Sequence, residues 1–199
     1  MIGIIDYGAG NLNSICKAFE QIGFNTKIIG KGIQHEKFDA LVLPGVGAFP
    51  GAMSRLKENN LDQFIKDHVK TGKPMLGVCL GMQLLFEWGY EDTKTKGLDL
   101  LPGNVVKMDN SLKIPHMGWN ELEIVRDGTL FKDLPAQPHY YFVHSYKLKE
   151  ITEEVIAVTE YGVKIPAIVR KDNVIGFQFH PEKSGDNGLK LLENFGELI

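Results

Sequence analysis

The chain has 199 residues, of which 43% are hydrophobic and 24% charged, a composition typical of one globular domain and not of a fibrous or disordered protein. Its formal net charge of -3 gives no positive field for nucleic acid or an anionic membrane surface, so we expect small molecules or proteins as partners. No apolar run reaches the length of a membrane span. No secretory segment precedes Cys16 and Cys79, and we expect free thiols in a reducing cytoplasm.

Short apolar runs alternate with helical patterns in the first half of the chain. The predicted strands cover residues 2–5, 25–29, 40–43 and 75–78. The predicted helices cover residues 12–22, 49–59, 61–71 and 80–88. Successive strand and helix units predict an α/β fold with a three-layer, open and mostly parallel sheet flanked by helices.

After Leu98 the pattern changes to short β-prone pieces separated by Gly, Pro and Asp turns. The predicted pieces cover residues 105–106, 113–114, 122–125, 140–143 and 155–159, then a hairpin of 167–170 and 174–179. A helix over 188–198 closes the chain. We expect a smaller antiparallel β part laid against the first half, within a single domain of residues 1–199.

The first glycine-rich turn, residues 7–11, does not fit a dinucleotide-binding fingerprint. The third glycine of that fingerprint falls on Asn13, and Lys31 stands near the end of the next strand where an acid is needed. We therefore predict no cofactor. A further set of histidines shows no metal-ligand spacing with either cysteine, which argues against a metal site: His35, His68, His116 and His139.

Cys79 lies where an apolar strand meets a helical pattern, between Gly77 and Gly81. This is the layout of a nucleophile elbow with sulfur in place of the usual hydroxyl. The glycines let the backbone pass close to the turn, and the start of the helix favours the reactive thiolate. The alternative is a small buried hydrophobic residue, as most free cysteines are.

His180 is the candidate base, at the end of an alternating strand pattern. Pro181 favours an extended backbone at His180, and Glu182 two residues on would then lie on the same side. That carboxylate would orient the imidazole so that its other nitrogen takes the thiol proton. His144 is a competing base, but no carboxylate follows it at a useful spacing, so we assign it to the wall of the site or to an interface.

A cysteine, a histidine and a carboxylate in this order point to acyl transfer through a thioester. The reaction needs an oxyanion hole, for which the Leu80 N–H is one predicted donor. The second is predicted in the strand-ending loop Gly45, Val46 and Gly47, whose glycines permit unusual backbone angles. A plain turn between strand and helix is the alternative for this loop.

Seven motif segments along the chain carry a resemblance to a known family. Residues 44–47, 77–83 and 180–182 resemble the triad-type glutamine amidotransferases. Residues 7–11, 115–120, 141–146 and 176–184 resemble, more narrowly, the glutaminase subunits of imidazole glycerol phosphate synthases. The similarity runs nearly end to end without a departure at a catalytic position. From the length we expect a stand-alone glutaminase without a fused synthase barrel.

The resemblance implies that Cys79 attacks the side-chain amide of glutamine, while His180 moves the proton and Glu182 orients it. It implies glutamine binding by Gln83, Gly47 and the main chain at Ser145 and Tyr146. The alternatives are that Gln83 solvates a helix face and that Tyr146 fills a strand.

The resemblance also implies a partner, the (β/α)8 barrel cyclase or synthase subunit of imidazole glycerol phosphate synthase. Ammonia would pass through the barrel in histidine biosynthesis, and glutaminase activity would wait for the partner. The residues in the motifs that line this contact are Asn11, Met117, Trp119, Tyr141 and Lys183. Core packing is the alternative for Trp119.

Three other functions share part of this pattern. A glutaminase subunit of another synthase, such as one making anthranilate, would share the triad but differ at residues 44–47 and 115–120. A cysteine peptidase or deglycase would use the elbow without requiring Gln83 or the position of Glu182. A catalytically silent binding subunit would tolerate Cys79→Ala.

Overall fold

The computed structural model describes residues 1–30, 32, 37–109, 111 and 113–199. Lys31 and His35, which entered the cofactor and metal arguments, lie outside these residues. The described strands are β1 (Ile2–Ile5), β2 (Thr26–Ile29), β3 (Ala40–Gly45), β4 (Met75–Cys79), β5 (Phe86–Glu91), β6 (Thr93–Lys96), β7 (Leu101–Lys107), β8 (His116–Glu121), β9 (Glu123–Ile124), β10 (His139–His144), β11 (Tyr146–Leu148), β12 (Val155–Glu160), β13 (Lys164–Lys171) and β14 (Val174–Phe177). The α-helices are α1 (Leu12–Gln21), α2 (Phe49–Glu58), α3 (Leu61–Lys70), α4 (Leu80–Leu84) and α5 (Gly185–Gly196).

The largest sheet among the described residues has eight strands in the order β2-β1-β3-β4-β14-β13-β12-β9. The five strands from β2 to β14 run parallel, and β13, β12 and β9 continue the sheet antiparallel. A four-stranded sheet, β11-β7-β5-β6, and the antiparallel pair β10-β8 come from the later part of the chain. The predicted fold class is confirmed.

Alternate residues of the central strands pack on opposite faces of the large sheet. In β3, Ala40 and Val42 belong to one buried cluster with residues of α1 and α5. Leu41 and Leu43 belong to another cluster with residues of α2 and α3. Strands apolar on both faces require a helical layer on each side, which produces the three layers.

The helix predicted over 80–88 is wrong after Leu84. The carbonyls of Leu84 and Leu85 accept hydrogen bonds from Leu98 and Leu100, and Phe86 begins strand β5. These long-range bonds satisfy the backbone groups that another helical turn would have paired, so tertiary contacts override the local helical pattern.

Strand predictions between residues 93 and 125 also need correction. The strand predicted at 113–114 is absent, and β8 begins at His116, directly after Pro115, which has no N–H for a ladder. Strand β6 was not predicted because its residues, Thr-Lys-Thr-Lys, carry no apolar signal. Within the described ranges, no helix combines the length and apolar character that crossing a membrane requires.

Candidate active site

Cys79 occupies a sharp strand-to-helix turn, as the elbow pattern predicts. It ends β4 and precedes α4, with φ 56° and ψ -111°, a backbone conformation unusual for a residue with a side chain. A Cβ on Gly81 would lie 1.7 Å from the Leu43 carbonyl oxygen, and one on Gly77 would lie 2.6 Å from the Gly81 oxygen. The two flanking glycines therefore permit the backbone contacts that hold the turn.

The chemical groups gather at the carboxyl ends of the parallel strands, where open α/β sheets place their sites. Tyr7 follows β1, Gly45 ends β3 beside Cys79 in the strand register, and His180 comes soon after β14. The central strands thus deliver residues distant in sequence to one edge of the sheet.

His180 and Glu182 are in contact, as their spacing predicts. His180 Nδ1 lies 2.9 Å from Glu182 Oε1, and both side chains are only 5% exposed. His180 has the expected extended backbone, but Glu182 lies in a 3-10 turn, Pro181–Lys183, and not in extended chain. The turn that begins at Pro181 folds Glu182 back onto the imidazole. The predicted contact is therefore present, but the backbone at Glu182 forms a turn where extended chain was predicted.

Opposing effects set the proton affinity of His180. Burial alone lowers its pKa, but interactions with the Cys79 sulfur and the Glu182 carboxylate outweigh burial and raise the pKa to about 10. His180 Nε2 is buried and has no hydrogen bond of standard geometry among the described residues, and the Cys79 sulfur is the neighbour that interacts with the ring besides Glu182. The imidazole is therefore held by Glu182 at one nitrogen, with the other available for proton transfer.

The Cys79 thiol donates a hydrogen bond to the Val143 carbonyl at 3.7 Å. The Gln178 amide Nε2 lies 4.0 Å from the sulfur and donates toward it. Val143 lies in β10, one residue before the strand ends, and Gln178 directly follows β14. The sulfur is thus positioned by strands on two sides and not by its own turn alone.

A cavity of about 370 Å³ opens at the thiol. Predicted site residues that line it are Val46, Gly47, Cys79, Leu80, Gln83, Ser145, Tyr146, Lys183 and His180. Unpredicted lining residues are Glu91, Pro115 and Val143, and His144 lines the cavity as the wall residue that the sequence analysis proposed. Gly45 and Glu182 are not among the lining residues. Gly45 pairs with Cys79 in the sheet, and Glu182 contacts His180.

Gln83 is buried and does not solvate a helix face. Its Nε2 donates to the Tyr146 carbonyl at 3.0 Å and to Gln178 Oε1 at 3.1 Å. In this structure Gln83 supports the main chain at Tyr146 while also lining the cavity, and a direct contact with glutamine stays a prediction.

Four of the five predicted interface residues form one exposed surface beside the cavity. Trp119 and Tyr141 are paired across β8 and β10 with ring centroids 5.9 Å apart, and Lys183 Nζ lies 6.0 Å from the Tyr141 ring centre. Met117 is 60% exposed and Trp119 55%, which excludes core packing for Trp119. Asn11, also exposed, directly precedes α1, after the turn whose Gly10 packs near Gly45.

Tyr7, Glu91 and Gln178 are site residues that the sequence analysis missed. The Tyr7 hydroxyl lies against Gly45, where an added Cβ would be 2.5 Å from it, and burial is the main cause that raises the pKa of Tyr7, with Cys79 adding to it. Gln178 is a polar residue inside an apolar strand pattern, a signal that could have identified it. Glu91 follows the mistaken helix prediction and had no such signal.

No cluster of three or more potential metal ligands occurs in the described part of the chain.

Comparisons with known proteins agree along the whole chain. Residues 3–198 match the family described as glutamine amidotransferase class-I. The chain is 52% identical to the imidazole glycerol phosphate synthase subunit HisH of Caldanaerobacter subterraneus subsp. tengcongensis, covering 100% of this chain and 98% of that protein. It is 51% identical to the subunit of the same name from Lactococcus lactis subsp. lactis, with the same coverage of both chains.

Solved structures share the fold at low identity. PurLQS from Thermotoga maritima aligns with a TM-score of 0.78 and 20% identity, over 98% of this chain and 97% of the other. A structure described as glutamine amidotransferase aligns with a TM-score of 0.77 and 22% identity, over 98% of each chain. The predicted family and enzyme class are confirmed. The chain belongs to the class-I glutamine amidotransferases, within the family of the HisH subunits of imidazole glycerol phosphate synthase.

Proposed function

We propose that this chain hydrolyses L-glutamine to glutamate and ammonia, and passes the ammonia to a (β/α)8 barrel subunit. The observation that carries this proposal is the arrangement at the cavity: the strained elbow of Cys79 faces a site completed by the His180–Glu182 pair. The family supplies the amide substrate, since its members are glutamine amidotransferases.

In the proposed reaction the Cys79 sulfur attacks the side-chain carbonyl carbon of glutamine. The carbonyl electron pair moves to oxygen, and the tetrahedral intermediate collapses with loss of ammonia as His180 gives a proton to the departing nitrogen. A glutamyl thioester remains on Cys79. Water then adds to the thioester with His180 as base, which releases glutamate and restores the thiol. Glu182 holds the imidazole in the required tautomer throughout.

The oxyanion is assigned to main-chain N–H groups of Leu80 and of the loop Gly45 to Gly47. Leu80 follows the nucleophile at the start of α4, and Gly47 has φ +101°, a conformation in which glycine is tolerated best. Loss of one such donor costs roughly 100- to 1,000-fold in rate. A peptide in this loop that turns away from the site would therefore keep the isolated chain nearly inactive.

We assign the α-amino and α-carboxylate groups of glutamine to the part of the cavity lined by Gln83, Gly47, Ser145 and Tyr146. Gln83, Ser145 and Tyr146 line this space, and Glu91 adds a carboxylate that suits an ammonium group. A free amino acid, with both charges present, is therefore a better fit than an internal peptide residue.

The exposed surface of Met117, Trp119, Tyr141 and Lys183 is the proposed contact with the barrel. Exposed aromatic side chains with a flanking cation are the residues on which binding energy concentrates in protein interfaces. Docking there would cover the mouth of the cavity, since Lys183 belongs to both. Ammonia would then reach the barrel without protonation in water. The imidazole glycerol phosphate synthase subunits among the relatives favour this partner over an anthranilate-forming one.

The barrel reaction forms imidazole glycerol phosphate and an aminoimidazole carboxamide ribotide in histidine biosynthesis. We also propose a cytoplasmic location and a single working domain over residues 1–199.

The test measures glutamate and ammonia release by the wild-type chain alone, with the barrel, and with the barrel and its nucleotide ligand. We expect low turnover alone and a large increase in the full mixture. Equal turnover in all three conditions would contradict the gating, and no glutamine turnover in any would contradict the function.

A further inference from the structure

A chain of polar groups runs from strand β8 to the main chain beside the cavity. Asn120 Oδ1 lies 2.8 Å from His116 Nε2, and His116 Nδ1 lies 3.0 Å from His144 Nε2. His144 Nδ1 lies 2.8 Å from the Tyr146 carbonyl oxygen. Both imidazoles are buried. We call Asn120, His116 and His144 the histidine relay.

Both ends of the histidine relay meet hydrogen-bond acceptors. Tyr146 offers a carbonyl oxygen, which only accepts. At the other end, Asn120 Nδ2 donates to the Glu160 carbonyl at 2.9 Å, which turns Oδ1 toward His116. Turning this amide around would place Oδ1 against the Glu160 carbonyl oxygen, so that two acceptors would face each other there. Each end therefore requires an N–H from a histidine.

The relay is one hydrogen short when both imidazoles are neutral. Its three contacts need three N–H groups, whereas two neutral imidazoles carry two. Burial lowers the pKa of His116. The pKa of His144 is lowered to about 3, with burial as the main cause and the nearby His116, His180 and Lys147 acting in the same direction, against the hydrogen bond to Tyr146. Among the described residues, no acidic group raises the pKa of either histidine, and the rings stacked on His116 are Phe142 and Tyr161.

The missing hydrogen falls at the Asn120 end. The Tyr146 oxygen is fixed in place, because it also accepts from Gln83 and β11 pairs with β7. Asn120 is only half-buried, so its amide can turn and exchange partners with water. The arrangement that remains has Nδ1–H on both histidines: His116 donates to His144, and His144 donates to Tyr146.

We propose that His144 is a positioning residue for glutamine: its Nδ1–H holds the main chain of Ser145 and Tyr146 at the cavity wall, and His116 fixes its tautomer. This inference rests on the proposed glutaminase function. His116 and Asn120 belong to β8, the strand that also carries the exposed side chains of Met117 and Trp119. A partner that binds Met117 and Trp119 would therefore act on the strand that supports the cavity wall at Ser145 and Tyr146.

The test is steady-state glutamine hydrolysis by the full chain in complex with its barrel partner. We expect His144→Leu to raise KM for glutamine about tenfold with kcat within about threefold, because one hydrogen bond of about 1.4 kcal/mol is lost. His144→Asn should keep KM within about threefold of wild type, since an asparagine Nδ2 can replace the Nδ1–H donor. A purely structural role would lower the active fraction, and so kcat, without this KM pattern.

The matched control is His68, another buried histidine that bonds a main-chain carbonyl, Pro74 O at 3.1 Å, away from the cavity. His68→Leu should leave KM unchanged. The double variant His116→Leu/His144→Leu should raise KM no further than His144→Leu alone, because the two residues act in one chain.

Nitrogen-15 spectra of histidine-labelled wild-type protein provide a second readout if His144→Leu does not fold. We expect His144 as the Nδ1–H tautomer, and an Nε2–H tautomer would overturn the proposal. Unchanged KM in a folded His144→Leu would also overturn it, while wild-type turnover would keep the glutaminase function standing. Absence of wild-type turnover would overturn both.

Discussion

Cys79 adopts backbone angles that glycine accepts more readily than a residue with a Cβ, at φ 56° and ψ -111°. Strain of this kind costs about 1–3 kcal/mol and persists where the surroundings impose it. Here the register of β3 and β4 and the contact of Gly81 with Leu43 impose it. The strained backbone that presents the Cys79 sulfur therefore lowers the free energy of unfolding.

Comparing Cys79→Gly with Cys79→Ala measures that cost. We expect the glycine variant to be more stable to urea unfolding than the alanine variant by about 1 kcal/mol. Ser54, exposed in α2, provides the control, because alanine there should be more stable than glycine by about 1 kcal/mol. Equal stability of the two Cys79 variants would show that the elbow is unstrained.

Sequence reasoning located the residues whose signals are local. The glycines beside Cys79 and the proline after His180 act on neighbouring backbone, so Cys79, His180 and Glu182 carried readable patterns. Glu91 lines the cavity from β5, and Tyr7, which follows β1, lies beside Gly45, so only tertiary structure brings these two residues to the site. The substrate and partner came from resemblance and not from spacing.

At the level of elements, long-range hydrogen bonds, and not the local sequence pattern, determine where α4 ends. The sequence after Leu84 fits a helix, yet hydrogen bonds from Leu98 and Leu100 end α4 and start β5. The central strands were predicted well because they are apolar on both faces. In the smaller sheet, β5 was missed because its first residues continue a helical pattern, and β6 was missed because its residues are polar.

Helix α4 also depends on its close approach to β3. Gly81→Ala would place a Cβ 1.7 Å from the Leu43 oxygen, and we expect a loss of roughly 2–3 kcal/mol or more in unfolding free energy. Gly51→Ala is the matched change in α2, where nothing lies within 4 Å, and it should stabilise by about 1 kcal/mol. Thermal unfolding of both variants measures the contrast. A neutral Gly81→Ala would contradict the tight contact.

On the scale of the whole molecule, the proposed function requires the exposed surface from Met117 to Lys183 to bind the barrel subunit beside the cavity at Cys79. Trp119→Ala should weaken binding of the barrel subunit by roughly tenfold to a hundredfold, as loss of an aromatic hot spot does. Tyr90, which is 43% exposed and outside the Met117 to Lys183 surface, is the control, and Tyr90→Ala should leave affinity unchanged. Titration calorimetry measures both, and equal effects would place the interface elsewhere.

Acid stability is a second property of the whole molecule. Burial is the main cause that lowers the pKa of His68, His116 and His144, so as the pH falls from about 6.5 toward 5 the unfolded chain binds more protons at these residues than the native chain does. Unfolding free energy should therefore fall on acidification, by up to about 1.4 kcal/mol per pH unit for each imidazole. His180, whose pKa is raised to about 10, contributes stability that is complete only below its unfolded pKa of about 6.5, so it opposes the trend near and above pH 6.5 and has little effect near pH 5.

Urea unfolding across this pH range checks the slope, and His144→Asn should make it shallower. Stability that rises on acidification would contradict the neutral burial of these histidines.

The most direct test of the account is ammonia release from glutamine by the Cys79→Ala chain in complex with the barrel, compared with wild type. Cys79 supplies the nucleophile, so we expect a loss of at least about a thousandfold with barrel binding retained. Turnover by Cys79→Ala at a rate close to wild type would contradict the assignment of Cys79 as the nucleophile.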